Sequence, residues 1–100
     1  MEKRVFELEG HEITGYVIPI GSVNLVFAHT SKGVVGCGAI DAVALEKFAI
    51  PAVKIRPVTA DSIRSIDDLL TGMVAVINSY AQQAGVVPEM NGKQALVTLI

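Results

Sequence analysis

The stretch Gly33-Val34-Val35-Gly36-Cys37-Gly38-Ala39-Ile40-Asp41 constrains the fold more than any other in this chain. It is apolar, carries the only cysteine, is punctuated by glycines and ends on an acid. The β-branched pair Val34-Val35 favours a pleated strand. Asp41 is a good N-cap for Ala42-Val43-Ala44-Leu45-Glu46-Lys47-Phe48-Ala49, in which Leu45, Phe48 and Ala49 recur at helical spacing. A strand running straight into a helix is expected, with Pro51 ending the helix.

The segments around this junction are rich in strand signals. Val5 to Glu9 and Glu12 to Ile20 flank Gly10-His11, which suits a two-residue hairpin turn of type II′ with glycine first. The second strand has Ile13 and Val17 on one face and Tyr16, Ile18 and Ile20 on the other, the pattern of a sheet covered on both sides. Pro19 lacks a ladder donor and points to an edge at that strand's end. Val23 to His29 forms a third strand, and Thr30-Ser31-Lys32-Gly33 a polar loop in which Gly33 can take the left-handed conformation. Ala52 to Val58 alternates, placing Val53 and Ile55 opposite Lys54 and Arg56. Ser65, with Asp68 in the acidic position of a capping box, starts a short helix within Asp61 to Leu70. Gly72 to Ile77 reads as a strand rather than a helix, because Gly72 is a poor helix interior residue and Val74, Val76 and Ile77 favour the pleat. Asn78 or Ser79 caps a helix ending at Gly85, and Asn91 caps a last helix of Lys93 to Leu99. No repeat, linker or low-complexity segment interrupts residues 1–100, so one domain is expected.

Charge is scarce: charged residues make up 18 % of the chain against about 25 % in an average soluble domain, and apolar residues 51 %. From Val76 to Ile100 only Glu89 and Lys93 carry formal charge. So little charge cannot dress a whole monomer surface, and self-association into a homo-oligomer is expected. The net charge is −2 and the basic residues are scattered, which excludes a basic stripe for nucleic acid or an anionic membrane surface. No apolar run approaches the ~20 residues of a membrane helix, and no apolar signal region follows the charged N-terminus. With a lone cysteine, which cannot form an intrachain disulfide, this points to the cytoplasm.

Gly36-Cys37-Gly38-Ala39-Ile40-Asp41, followed by Ser65-Ile66-Asp67-Asp68-Leu69-Leu70 and by Gly85 with Met90-Asn91-Gly92-Lys93-Gln94-Ala95-Leu96, resembles the YunC-like family, a small bacterial and archaeal family of unknown function. The similarity runs from about Ile13 to Leu99, and the block from Gly36 to Asp41 is its most specific part. The resemblance implies a compact α+β fold and carries over no activity.

Cys37 is the first candidate for chemistry, since a thiolate is a strong nucleophile and the flanking Gly36 and Gly38 would let a ligand approach the backbone. The competing reading is a buried core cysteine among small residues that let a helix pack closely. His29, at the end of the preceding strand, is the candidate base. With a three-residue loop Ser31–Gly33 it pairs with Val35 and shares a face with Cys37; with the four-residue loop Thr30–Gly33 it pairs with Val34 and faces the other way. Asp41 would orient or bind substrate, or serve as the N-cap alone. Lys54 and Arg56, two apart on one strand, would clamp a phosphate or carboxylate, or form a solvated face. No Cys-x-x-Cys, paired histidines, Walker loop or Gly-x-Gly-x-x-Gly is present, so no metal and no cofactor is expected.

The sequence therefore specifies an α+β domain with a mixed or antiparallel sheet of about five or six strands and packed helices. Two functions stay open: a ligand-binding or interaction and regulatory module, and a cysteine-dependent enzyme using Cys37, His29 and Asp41.

Overall fold

Ten elements follow one another in the computed structural model, which describes residues 1–100: β1 (Glu2–Leu8), β2 (His11–Ile20), β3 (Val23–His29), β4 (Val34–Gly36), α1 (Ala42–Glu46), β5 (Ala52–Arg56), α2 (Ile66–Thr71), β6 (Met73–Ile77), α3 (Ser79–Gln83) and α4 (Gly92–Thr98). The strands form one six-stranded α+β sheet in chain order. All neighbours are antiparallel except β4 and β5, which are parallel and joined through α1. No helix is long and apolar enough to cross a membrane.

The β1–β2 turn falls one residue earlier than the sequence suggests. Leu8 pairs with His11, so the turn residues are Glu9 and Gly10, with φ of 53° and 77°. Positive φ at both positions is the type I′ turn, whose twist matches that of the strands; Gly10 adopts it freely and Glu9 is held there by the hairpin. Pairing of β1 ends at Glu2 with Val17, so Pro19 lies beyond its reach and the missing donor leaves no gap in that ladder.

The β3–β4 loop settles the register. His29 pairs with Val34, the four-residue alternative. The Thr30 hydroxyl accepts from the N–H groups of Lys32 and Gly33 at 3.1 Å each and donates to the Leu99 carbonyl at 2.7 Å, which ties the loop to the chain's C-terminal end. Gly33 does not adopt positive φ, contrary to expectation. It is needed because a Cβ there would stand 2.5 Å from the Pro51 carbonyl oxygen.

One face of the sheet carries Ile13, Val17, Val26, Ala28, Val35, Val53, Ile55 and Val74, all buried. Across it lie α2 and α4, contributing Ile66, Leu69, Ala95, Leu96 and Leu99 to the same core. Each large side chain so buried stabilises the fold by about 1.5–3 kcal/mol. Gly15 sits on this face because Ile66 packs into the space a side chain would fill, its Cδ1 2.9 Å from where a Cβ would stand. Asn78 is the buried polar side chain, and all its bonding capacity is used: Oδ1 accepts from the N–H groups of Ala52 and Ala81, and Nδ2 donates to the carbonyls of Ala42 and Ile50. It caps α3 and fastens α1 and β5 to it.

Candidate functional site

The parallel pair β4 and β5 sets where a crevice opens. The chain leaving β4 turns onto the outer face, where Ile40 fills the space above Gly36, whereas the chain leaving β5 passes to the inner face and becomes α2, whose Ile66 lies on Gly15. When successive connections leave toward opposite faces, the carboxyl ends of the two strands are uncovered between them, the usual ligand crevice of open sheets. A crevice of about 510 Å³ lies there, bounded by Asn24 from β3, Cys37-Gly38-Ala39 after β4, Arg56 at the end of β5, and Ser62 and Arg64 before α2. Its size is within the range of small-molecule sites, about 300–1,000 Å³.

Cys37 lies on the inner face and is only 6 % exposed. Its N–H donates to the Val26 carbonyl at 2.9 Å, and its Sγ accepts from the Val26 N–H at 3.4 Å, so it prolongs the β3–β4 ladder by one residue. The Ile40 N–H then returns to the Cys37 carbonyl at 3.0 Å, closing a turn with Gly38 and Ala39 at its centre. A turn closed in this way leaves its two central N–H groups unused, and those of Gly38 and Ala39 donate to no protein acceptor. Both residues are exposed and line the crevice.

The same crevice is lined by two arginines, Arg56 and Arg64. Arg64 donates from Nε to the Ser62 hydroxyl at 3.0 Å, and its backbone is pinned on both sides: its carbonyl accepts from Asn24 Nδ2 at 2.9 Å and its N–H donates to Asp68 Oδ2 at 3.1 Å. Arg56 makes no side-chain hydrogen bond. The chain's one ion pair joins Arg4 to Asp67, away from the crevice, so Arg56, Arg64 and the neighbouring Asp61 carboxylate all lack a paired countercharge.

Of the residues singled out from sequence, Cys37, Gly38 and Arg56 meet in this crevice. His29 does not join them: the four-residue loop turns it to the outer face, where it stacks on Tyr16 at 5.8 Å between ring centroids. Gly36 faces Ile40 rather than a ligand. Asp41 caps α1, accepting from the Ala44 N–H at 2.9 Å. Lys54 and Arg56 do not meet in the crevice: Arg56 lines it and Lys54 lies outside. The register shift beside them places the extra residue, Ala75, in β6 and leaves the alternation along β5 intact. No three His, Cys, Asp or Glu side chains cluster in a way that could hold a metal. Asn24, Ser62, Arg64 and the free N–H groups were missed from sequence. Asn24 did leave a signal, a polar residue on the same strand face as Val26 and Ala28; Arg64, in a polar loop, left none.

Residues 36–99 match the model of the family described as Domain of unknown function (DUF1805). The chain is similar to the uncharacterised protein YunC of Bacillus subtilis, 27 % identical over 93 residues that cover 93 % of this chain and 91 % of that one. Its fold is that of a crystal structure from Thermoplasma acidophilum, the protein of unknown function TA1206, with a TM-score of 0.87 over 99 % of this chain and 92 % of that one at 22 % identity. The matched stretch begins at Gly36 and so takes in Cys37, Gly38, Ala39, Arg56, Ser62 and Arg64.

Proposed function

We infer that this chain, which belongs to the YunC-like family described as Domain of unknown function (DUF1805), is a small-molecule-binding module that works as a homo-oligomer. The observation that carries the reading is the crevice at the carboxyl ends of β4 and β5, which free backbone donors and unpaired charged residues line together with the apolar Ile55 and Ile63. Interior polar groups without partners cost stability, whereas donors left exposed in a concave site are available to a ligand at little cost.

Self-association is supported by the outer face of the sheet. Tyr16, Ile18, Leu25, Phe27 and Val34 are half-buried there, and Ile20 and Val23 are exposed. Val23 also lines the crevice, so a second copy seated on this face would stand at the crevice rim. Ligand binding is tested by titrating mixtures of small metabolites into isotope-labelled protein and following the backbone amides by NMR. The expected result is a set of shifts centred on Asn24, Gly38, Ala39, Ser62 and Arg64. Shifts confined to other regions, or none, overturn the reading.

A cysteine-dependent enzyme is the second reading, favoured by one observation: Cys37 lines the crevice next to two free N–H groups, the donors a developing oxyanion needs. His29 cannot serve it as base from the opposite face, and the crevice contains no other histidine. Iodoacetamide labelling of Cys37 in the folded protein within minutes would favour this reading; labelling only after denaturation eliminates it.

A further inference from the structure

We propose that the crevice recognises an oxyanion, a carboxylate or a phosphate monoester, on a ligand with a small apolar body. The proposal rests on the ligand-binding reading of the same crevice and adds the ligand's chemical class. The charged head lies between the Gly38-Ala39 turn and the guanidinium groups of Arg56 and Arg64.

Three features lead there. The two consecutive N–H groups of the turn have no protein acceptor, and backbone N–H groups are good donors to anionic oxygens. Arg56 and Arg64 line one crevice, and no carboxylate is paired to either. A guanidinium offers two parallel donors that fit the two oxygens of a carboxylate or phosphate. Arg64 is also preorganised, since Ser62 holds its Nε while Asn24 and Asp68 hold its backbone, so less side-chain freedom is lost on binding. Beneath the polar rim, Ile55, Ile63 and the buried Cys37 provide the apolar floor that an organic ligand needs and a free inorganic ion does not.

Asp61 works against an anion. It lowers the formal charge of the crevice side chains from two positive charges to one, which favours a singly or doubly charged head over a polyanion and predicts that removing it tightens binding.

The test is an amide titration by NMR with sodium phosphate and, separately, sodium butyrate, each against sodium chloride at matched ionic strength. The amides of Gly38 and Ala39 are expected to shift saturably with at least one of the two probes and not with chloride, and the responding probe distinguishes a phosphate from a carboxylate head. Arg56→Gln and Arg64→Gln should each weaken that binding by about tenfold, the loss of one charge-assisted contact. Asp61→Asn should strengthen it, and Lys54→Gln, a charge removed outside the crevice, should leave it unchanged. Shifts reproduced by chloride, no response to either probe, or undiminished binding in the double Arg56→Gln, Arg64→Gln variant overturns the proposal. A neutral metabolite that shifts the crevice amides equally in wild type and in that double variant overturns the oxyanion inference while the ligand-binding reading stands; a crevice that no metabolite perturbs removes both.

Discussion

Leu25 and Val26 are neighbours in sequence on opposite faces of one sheet, and they are covered to different extents. Val26 is fully buried, packed under α2 and α4 with Ile13, Val35 and Leu96. Leu25 is half-buried beside Ile18 and Val23, and the exposed residues of that outer face include Ile20 at 54 % and Val23 at 62 %. The alternation along β2 and β3 is apolar on both faces, yet the chain's own helices cover one. Of the outer face, α1 and Ile40 cover only the margin near Gly36. The scarcity of charge is therefore not spread evenly: much of it is an unshielded sheet surface. The 27 residues of β1 to β4, at about 3.3 Å per residue and about 4.8 Å between strands, give a flat footprint of roughly 430 Å². A stable interface takes about 800 Å² from each partner. A second copy would thus also have to cover exposed groups such as Val43 of α1 and Phe48 in the turn after it.

The largest expected difference between the faces is the cost of truncation. Ile13→Ala empties a site with no solvent exposure and should lower the unfolding free energy by about 2–4 kcal/mol, whereas Ile18→Ala on the outer face should cost less than about 1 kcal/mol at protein concentrations low enough for the monomer. Denaturant unfolding of both variants measures this. Equal losses in the monomer would break the contrast. A loss in Ile18→Ala that grows with protein concentration would sharpen it, since that marks an interface.

The margin covered by α1 offers the next test. A Cβ at Gly36 would collide with the Cγ1 of Ile40, so Gly36→Ala should cost about 1–3 kcal/mol through overpacking, and Ile40→Ala in the same chain should restore part of that loss. Without any such restoration, Gly36 would owe its identity to something other than close packing of the connection onto the outer face.

Most of the element order was legible because it rests on local rules. Gly72 with β-branched neighbours argues for a strand over Met73–Ile77, whereas the first helix, expected to run to Ala49 and stop at Pro51, ends at Glu46, with Ala49 turned to a φ of 58°. Asp41, Ser65, Asn78 and Asn91 cap helices, each accepting from an N–H three residues on. The site was legible only in its first half. Cys37, Gly38 and Arg56 were picked out by residue type, but their partner Arg64 comes from a loop whose position depends on α2 packing against β2, a contact with no local signature. The His29 register could not be decided because three- and four-residue loops are both common and differ by one residue, which reverses the face. The β1–β2 turn slipped for the opposite reason: Glu9 is not a residue that favours positive φ, and the hairpin's twist overrode its preference.

If the outer face is an interface, breaking it should change size more than stability. Phe27→Asp places a charge among Tyr16, Leu25 and Val34. Light scattering should then report the 10.6 kDa monomer where the unaltered chain gives a multiple of it. An unaltered chain that is already monomeric at micromolar concentration would remove the homo-oligomer and leave the apolar outer face without a partner. An oligomer that survives Phe27→Asp would move the interface elsewhere.

The smallest effect expected separates the two faces by kind of force rather than amount. The inner cover is held mainly by the apolar side chains of Ile66, Leu69, Ala95, Leu96 and Leu99. The outer cover, α1, is tied to α3 by Glu46, whose Oε1 accepts from the Ser79 hydroxyl and the Ser79 N–H, both at 2.6 Å. The hydroxyl bond first and the backbone bond second hold the Glu46 carboxyl below its ordinary value of 4.5. A carboxyl whose folded-state value is lowered contributes its stabilisation in full above the unfolded value and loses it as pH falls through the lowered one. Stability should therefore fall below pH 4.5 in the unaltered chain, and Glu46→Gln should be less stable at neutral pH with the two curves converging in acid. Because this group is exposed, the difference should be small and concentrated in α1, where amide exchange should quicken before α2 or α4 responds. Simultaneous acceleration in all three helices would mean that α1 belongs to the same cooperative unit as the inner core, and the two faces would then differ in coverage but not in the way their covers are held.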